Sequence, residues 1–175
     1  MDKVIRARWA GVYFNEDFIL IETNSGYRMN QVDYKGKQHL LASDASDEAL
    51  GIAVLDALAH SRFVLGAPRA GSVYSPDVEF DMDMYDYKQG IERYAKWIAD
   101  LMAHYGYKTK RVLFKNMHSC NIESCNGIIK ITPMHHEKLE MWAGINKDEN
   151  VIILSDSTPA ETGAALRLAF SRCTG

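Results

Sequence analysis

Asn126-Gly127 constrains this chain more tightly than any other pair of residues, because Asn-Gly best tolerates the two positive φ angles of a two-residue hairpin turn. The runs beside it, "HSCNIESC" and "IIKIT", are strand-like, so the turn predicts an antiparallel pair with a fixed register. Cys125 then faces Ile128, Glu123 faces Lys130 and Ile122 faces Ile131, which puts an opposite-charge pair on one face and an isoleucine pair on the other. Side chains alternate along a strand, so Cys120 and Cys125, five residues apart, must point to opposite faces and cannot close on one ion. Residues 115–138 hold two cysteines, three histidines and two glutamates. Their spacing is not that of a structural zinc site, and no metal is expected.

Upstream, "VIRARWAGVYF", "FILIE", "YRMNQV" and "HLLA" are separated by the turn signals Asn15-Glu16-Asp17, Asn24-Ser25-Gly26 and Lys35-Gly36-Lys37. This spacing predicts a β-meander. Ser46 is an N-cap for a helix with Leu50, Val54 and Leu58 on its apolar face, and "FVLGAPRAGSVYSPD" is an irregular connection. The clearest helix begins at Tyr87: Ile91, Tyr94, Ala95, Ile98, Leu101, Met102 and Tyr105 form one stripe, ended by Gly106, with Glu92 and Lys96 paired outside it. "RVLFKNM" alternates like a strand. Thr132-Pro133 opens a short helix around "HEKLEMW", "NVIILS" is a buried strand, and Thr158-Pro159-Ala160-Glu161 is a capping box for the last helix. Two groups of strands, each followed by helix, without regular βαβ alternation, predict an α+β fold: a largely antiparallel sheet, built from the N-terminal meander and the second strand group, packed with three main helices.

Residues 1–175 are expected to form a single domain, since 175 residues suffice for one sizeable core and the 25% charged content is ordinary for a globular chain. No apolar run is long enough to span a bilayer, and "MDKVIRARWAG" lacks a leader pattern, which predicts a cytoplasmic protein without membrane contact. Three cysteines without a secretion signal read as free thiols.

Charge is distributed unevenly. "SPDVEFDMDMYDY" alternates, with Asp77, Glu79, Asp81 and Asp83 at one parity and Val78, Phe80, Met82 and Met84 at the other. As one extended strand it presents a row of carboxylates above an apolar edge. The plain alternative is a charged edge strand kept soluble by its acids. The functional reading is a docking surface for a basic partner, made of Asp77, Glu79, Asp81, Asp83 and Asp86 with Tyr85 and Tyr87 as aromatic anchors. Lys108, Lys110, Arg111 and Lys115 beside Tyr105 and Tyr107 offer a second class of function, a small nucleic-acid-binding domain using residues 105–115. A net charge of −3 argues against it, and no direct nucleic-acid contact is expected. His135, His136 and Glu137 could do acid–base work, but no nucleophile motif or phosphate loop accompanies them, so no enzyme and no catalytic residue is expected.

"LGIAVLDALAHSR", "YGYKTKRVLFKNMHSCNI" and "HHEKLEMW", in this order, resemble segments of bacterial contact-dependent growth inhibition (CDI) immunity proteins, over roughly residues 50–142. The resemblance implies a cytoplasmic, non-enzymatic, cofactor-free α+β protein that binds and neutralises one cognate toxin domain, a nuclease of tRNase type. Such a nuclease would be a basic partner. Immunity proteins discriminate between toxins, so the matching Lys108, Thr109, Lys110, Phe114, Lys115, His135, His136 and Glu137 are expected to serve the fold, and the acidic segment, which lies between the matched segments, to serve partner choice.

Overall fold

The computed structural model describes residues 4–175, and the first three residues of the stretch read for a leader lie outside it. Four strands come first, β1 (Arg8–Phe14), β2 (Phe18–Gly26), β3 (Asn30–Val32) and β4 (Gln38–Ala42), followed by helix α1 (Asp47–Ala59). Two short strands, β5 (Val64–Leu65) and β6 (Glu79–Phe80), lead to helices α2 (Tyr87–Tyr105) and α3 (Lys110–Phe114). The second strand group is β7 (His118–Cys125), β8 (Ile128–Lys138), β9 (Met141–Gly144) and β10 (Val151–Leu154), and α4 (Pro159–Arg172) follows it. The main sheet runs β10-β8-β7-β1-β2-β3, with β4 also on β2 and β9 on β8. Its ladders are antiparallel, and β1 joins the meander to the second group through β7.

The Asn-Gly turn behaves as its chemistry requires. Asn126 and Gly127 have φ of 52° and 78°, and β7 pairs with β8 with Ile122 opposite Ile131, Glu123 opposite Lys130 and Cys125 opposite Ile128. Cys120 is buried with Ile122, Ile129 and Ile131, on the face opposite Cys125.

Both faces of the sheet are covered, though unequally. On one, Val12, Ile19, Ile21, Cys120, Ile122 and Ile131 meet Leu50, Val54, Ala57, Leu166 and Ala169 of α1 and α4. Ser46 caps α1, and Thr158 with Glu161 forms the full reciprocal capping box of α4. The two helices approach so closely that a Cβ on Gly51 would overlap the Pro159 carbonyl, and one on Gly163 that of Asp47. On the other face Phe18 and Leu20 meet Ile98, Leu101, Leu113 and Phe114 of α2 and α3.

Five sequence expectations need correction. "RVLFKNM" is not a strand: Thr109 Oγ1 accepts the Val112 N–H and caps α3, turning Leu113 and Phe114 into the core together. The "HEKLEMW" segment is not a helix, because β8 runs through Thr132-Pro133 to Lys138 and β9 folds back on it. Trp142 stacks on His136 at 5.0 Å and donates to the Met117 carbonyl, a gain that one isolated helical turn could not match. β10 buries only one face: Val151 and Ile153 pack on the α1/α4 core, and Ile152 and Leu154, at the other parity, are exposed where a buried strand was expected. In α2 the stripe is buried at Ile98 and Leu101, but Ile91, Tyr94 and Ala95 are exposed because the N-terminal half of the helix stands off the sheet. Lys96 there pairs with Asp100 at 2.6 Å and not with Glu92. Among the described residues no helix is long and apolar enough to cross a membrane.

Candidate functional site

The chain leaves α1 through β5, and after the irregular connection over residues 66–78 it enters the acidic segment at β6. β5 and β6 pair in parallel, with the Glu79 N–H on the Phe63 carbonyl and the Asp81 N–H on the Leu65 carbonyl, and this ladder ends at Asp81. Two tight turns follow, Tyr85 N–H to the Met82 carbonyl and Asp86 N–H to the Asp83 carbonyl, and the Asp86 side chain then caps α2 through the Gln89 N–H at 2.8 Å. The extended row of carboxylates is therefore corrected: only Glu79 and Phe80 are strand, and the alternation stops at Asp81.

Asp81 is 8% exposed and turned inward. Arg62 Nη2 lies 3.0 Å from it, Lys35 Nζ 3.4 Å, and the Tyr34 hydroxyl and Met84 N–H donate to it. Burial pushes its carboxyl up, but donation from Arg62, Tyr34 and Met84 and the charge of Lys35 prevail and hold it at about 2. Arg62 also grips Asp33 with two hydrogen bonds, Nε at 2.7 Å and Nη2 at 2.8 Å, while Ser25 Oγ and the Lys35 N–H complete that carboxylate. Asp33 too is buried, yet Arg62 and its other donors hold its pKa below the usual carboxylate range. One guanidinium thus bridges two inward carboxylates and pins the acidic segment to the β2–β3 end of the sheet.

The pinning leaves the other predicted residues outside. Asp77, Glu79, Asp83, Tyr85, Asp86 and Tyr87 are exposed, Tyr87 at 83%. Asp77 meets Arg6 at 3.1 Å, Glu79 reaches Arg62 at 3.4 Å, and Asp83 accepts from Gln89. The Tyr85 hydroxyl donates to the Val64 carbonyl, which fixes its ring.

Beside this segment, between α2 and strands β2–β4, lies a cleft of about 740 Å³. Met84, Arg93, Tyr94 and Trp97 line one side and Gln31, Tyr34, Gln38 and Leu40 the other, with the Arg93 guanidinium 3.9 Å from the Tyr34 ring centre. Glu22 lies at its base, 2% exposed. Burial raises this carboxyl to about 7 against the pull of the Gln38 amide and the Trp97 indole. Trp97 Nε1 itself closes no well-formed hydrogen bond. None of Glu22, Asp33, Arg62 or Trp97 stood out in the sequence, since each is a single residue whose partners are distant along the chain.

Several residues of the competing sites are committed to the fold. Tyr105 stacks on Phe18 at 5.0 Å, and the Tyr107 hydroxyl bonds Asp17 and accepts from Asn15, so neither ring is free to stack on a base. Lys110 pairs with Glu140 at 2.9 Å. His136 carries Trp142 and bonds the Leu139 carbonyl, whereas His135 bonds Thr174 Oγ1 at 2.8 Å. The two imidazoles point apart because they are neighbours on β8, not on a helix.

Comparison with known proteins adds four likenesses. Residues 8–173 match the family model described as CDI immunity protein. The chain is 52% identical, over all of both chains, to the immunity protein CdiI-YPIII of Yersinia pseudotuberculosis. It superposes with a TM-score of 0.94 and 52% identity on a chain of a CdiA-CT/CdiI toxin and immunity complex from that species, covering 98% of this chain and all of the other. A protein of unknown function from Neisseria meningitidis superposes at 0.82 with 40% identity, over 99% of each chain.

Proposed function

The chain belongs to the CDI immunity protein family, and from that premise we propose that it binds a cognate CdiA-CT toxin domain in the cytoplasm and neutralises it without turnover of its own. The toxin on this reading is a nuclease, and residues 1–175 act as one domain. A nuclease must attract phosphate, so its cleft is basic, and a cluster of exposed carboxylates competes for the same field without being cleaved.

The observation that carries this reading is the Arg62 clamp. By holding Asp81 and Asp33 inside, it leaves Asp77, Glu79 and Asp83 outward on a segment with little freedom left to lose, beside Tyr85, Tyr87 and the cleft. Pre-organisation of this kind lowers the ordering cost of association. Isolated surface charges contribute little to affinity, so their effect belongs in the encounter rate, while the aromatic residues and the cleft wall govern dissociation.

The test replaces Asp77, Glu79 and Asp83 with Asn, Gln and Asn and leaves Asp81 in place. Association with the toxin domain is expected to slow about tenfold at low salt and to match the wild type at high salt, with unchanged thermal unfolding. Wild-type association at low salt, with full protection of cells, would place the contact elsewhere. Purified protein is expected to degrade neither RNA nor DNA.

A further inference from the structure

Cys120 and Cys173 are distant in sequence, yet their Sγ atoms lie 3.5 Å apart. Cys120 is fully buried on β7, and Cys173 is half-buried at the C-cap of α4; both are free thiols. Cys173 Sγ also contacts the carbonyls of Ser119 at 3.4 Å and Ala169 at 3.5 Å, which holds it against β7. The next residue is tied down as well: His136 N–H donates to the Thr174 carbonyl at 2.8 Å, and Thr174 N–H to the Met134 carbonyl at 3.3 Å. A disulfide requires the sulfurs to close to about 2.05 Å, a movement of roughly 1.5 Å from where they stand.

Their surroundings give the two sulfurs different chemistry. The hydrogen bond with Cys173, together with burial, pushes the Cys120 thiol well up. That same hydrogen bond, aided by the Met134 backbone and opposed by burial, holds Cys173 below the usual thiol value. The more accessible sulfur is therefore also the more acidic, as an attacking thiol requires.

We propose that Cys120 and Cys173 form a thiol–disulfide exchange site whose substrate is a low-molecular-weight disulfide of the glutathione class. The Cys173 thiolate attacks one sulfur of glutathione disulfide, forming a mixed disulfide and releasing one glutathione thiolate. Cys120 then attacks the Cys173 sulfur, and its proton leaves with the second glutathione. The protein pair loses two electrons and two protons, and glutathione disulfide is reduced to two thiols. The product joins the end of α4 to the middle of the sheet. Cys125 lies on the opposite face of β7 and takes no part.

The experiment equilibrates the full chain with excess glutathione disulfide at neutral pH, alkylates remaining thiols in denaturant and maps the peptides. A Cys120–Cys173 cross-link is expected, with a Tm higher by about 10 °C that dithiothreitol reverses. Cys125→Ser should leave both results intact, and Cys173→Ser, at a half-buried position, should remove both while the protein stays folded. Alkylation of all three thiols, glutathione retained on Cys173 with Cys120 alkylated, or a link through Cys125 would each overturn the assignment.

Discussion

The two faces of the sheet are built to opposite ends. Beneath α1 and α4 the helices touch backbone to backbone at Gly51 and Gly163, and Leu50, Val54 and Leu166 have no exposed surface. Beneath α2 only Ile98 and Leu101 of the helix are buried, and a cleft with Glu22 at its base runs along it from Gly90 to His104, with Ile91 51% exposed. Dense packing of the first kind supplies cooperative stability but offers a partner nothing to hold. The second face gives up burial and gains a concave, largely apolar surface with a few polar and charged groups set in it, the usual character of a binding site. On the proposed reading, stability and recognition are divided between the faces, and the Arg62 clamp is where they meet.

The largest effect should come from that meeting point. Arg62→Met leaves Asp33 and Asp81 without their shared cation, and a loss of about 3–5 kcal/mol is expected in urea unfolding. The acid limb should change too. Asp81 is held at about 2 against its ordinary 3.8, so its contribution is complete above roughly pH 4 and is lost as pH falls through 2. The variant should lack that loss, and an unchanged acid limb would remove the clamp from the account.

On the sealed face, Gly51→Ala forces the α1–α4 crossing apart and should cost about 3 kcal/mol, read as a lower urea midpoint. A neutral result would mean that the crossing yields, and the contrast between the faces would weaken. On the open face the sign reverses. Glu22 has its pKa raised to about 7, so the folded state holds a proton that the unfolded chain releases near 4.5, and its carboxylate destabilises the fold increasingly as pH rises through 7. Glu22→Gln should therefore stabilise by on the order of 3 kcal/mol at about pH 8 and by little near pH 4, measured as the difference between two unfolding curves. The smallest effect belongs to Tyr87→Ala, at an exposed position: below about 0.5 kcal/mol in stability, with faster dissociation from the toxin domain as its only large consequence.

What the sequence disclosed follows the reach of the forces involved. The Asn126-Gly127 hairpin and its full register, the Ser46 cap and the Thr158–Glu161 box were legible because each is settled within a few residues. Thr109 was passed over as a cap, although its hydroxyl is the local signal that α3 uses. Pro133 was read as a helix start, and only the return of β9, with Trp142 on His136, makes its segment a strand. The acidic segment was visible as a composition, and six of its seven named residues do reach solvent. Asp81 does not, because its partners Tyr34, Lys35 and Arg62 come from parts of the chain that no local window contains. The cleft was not legible at all: it exists because one helix with a regular apolar stripe is seated at only one end.

The exposed edge at β10 has a consequence for life in a crowded solution. A strand ending a sheet offers unpaired N–H and C=O groups to any neighbour, and here Ile152 and Leu154 add apolar side chains beside them. Left long, such an edge would template the stacking of one chain on the next. This one is four residues, preceded by Lys147, Asp148 and Glu149 and followed closely by Asp156, so a growing fibril would meet charge at both ends of every strand added. Brevity and flanking charge are the devices by which an open edge of this kind is kept from pairing with the next chain.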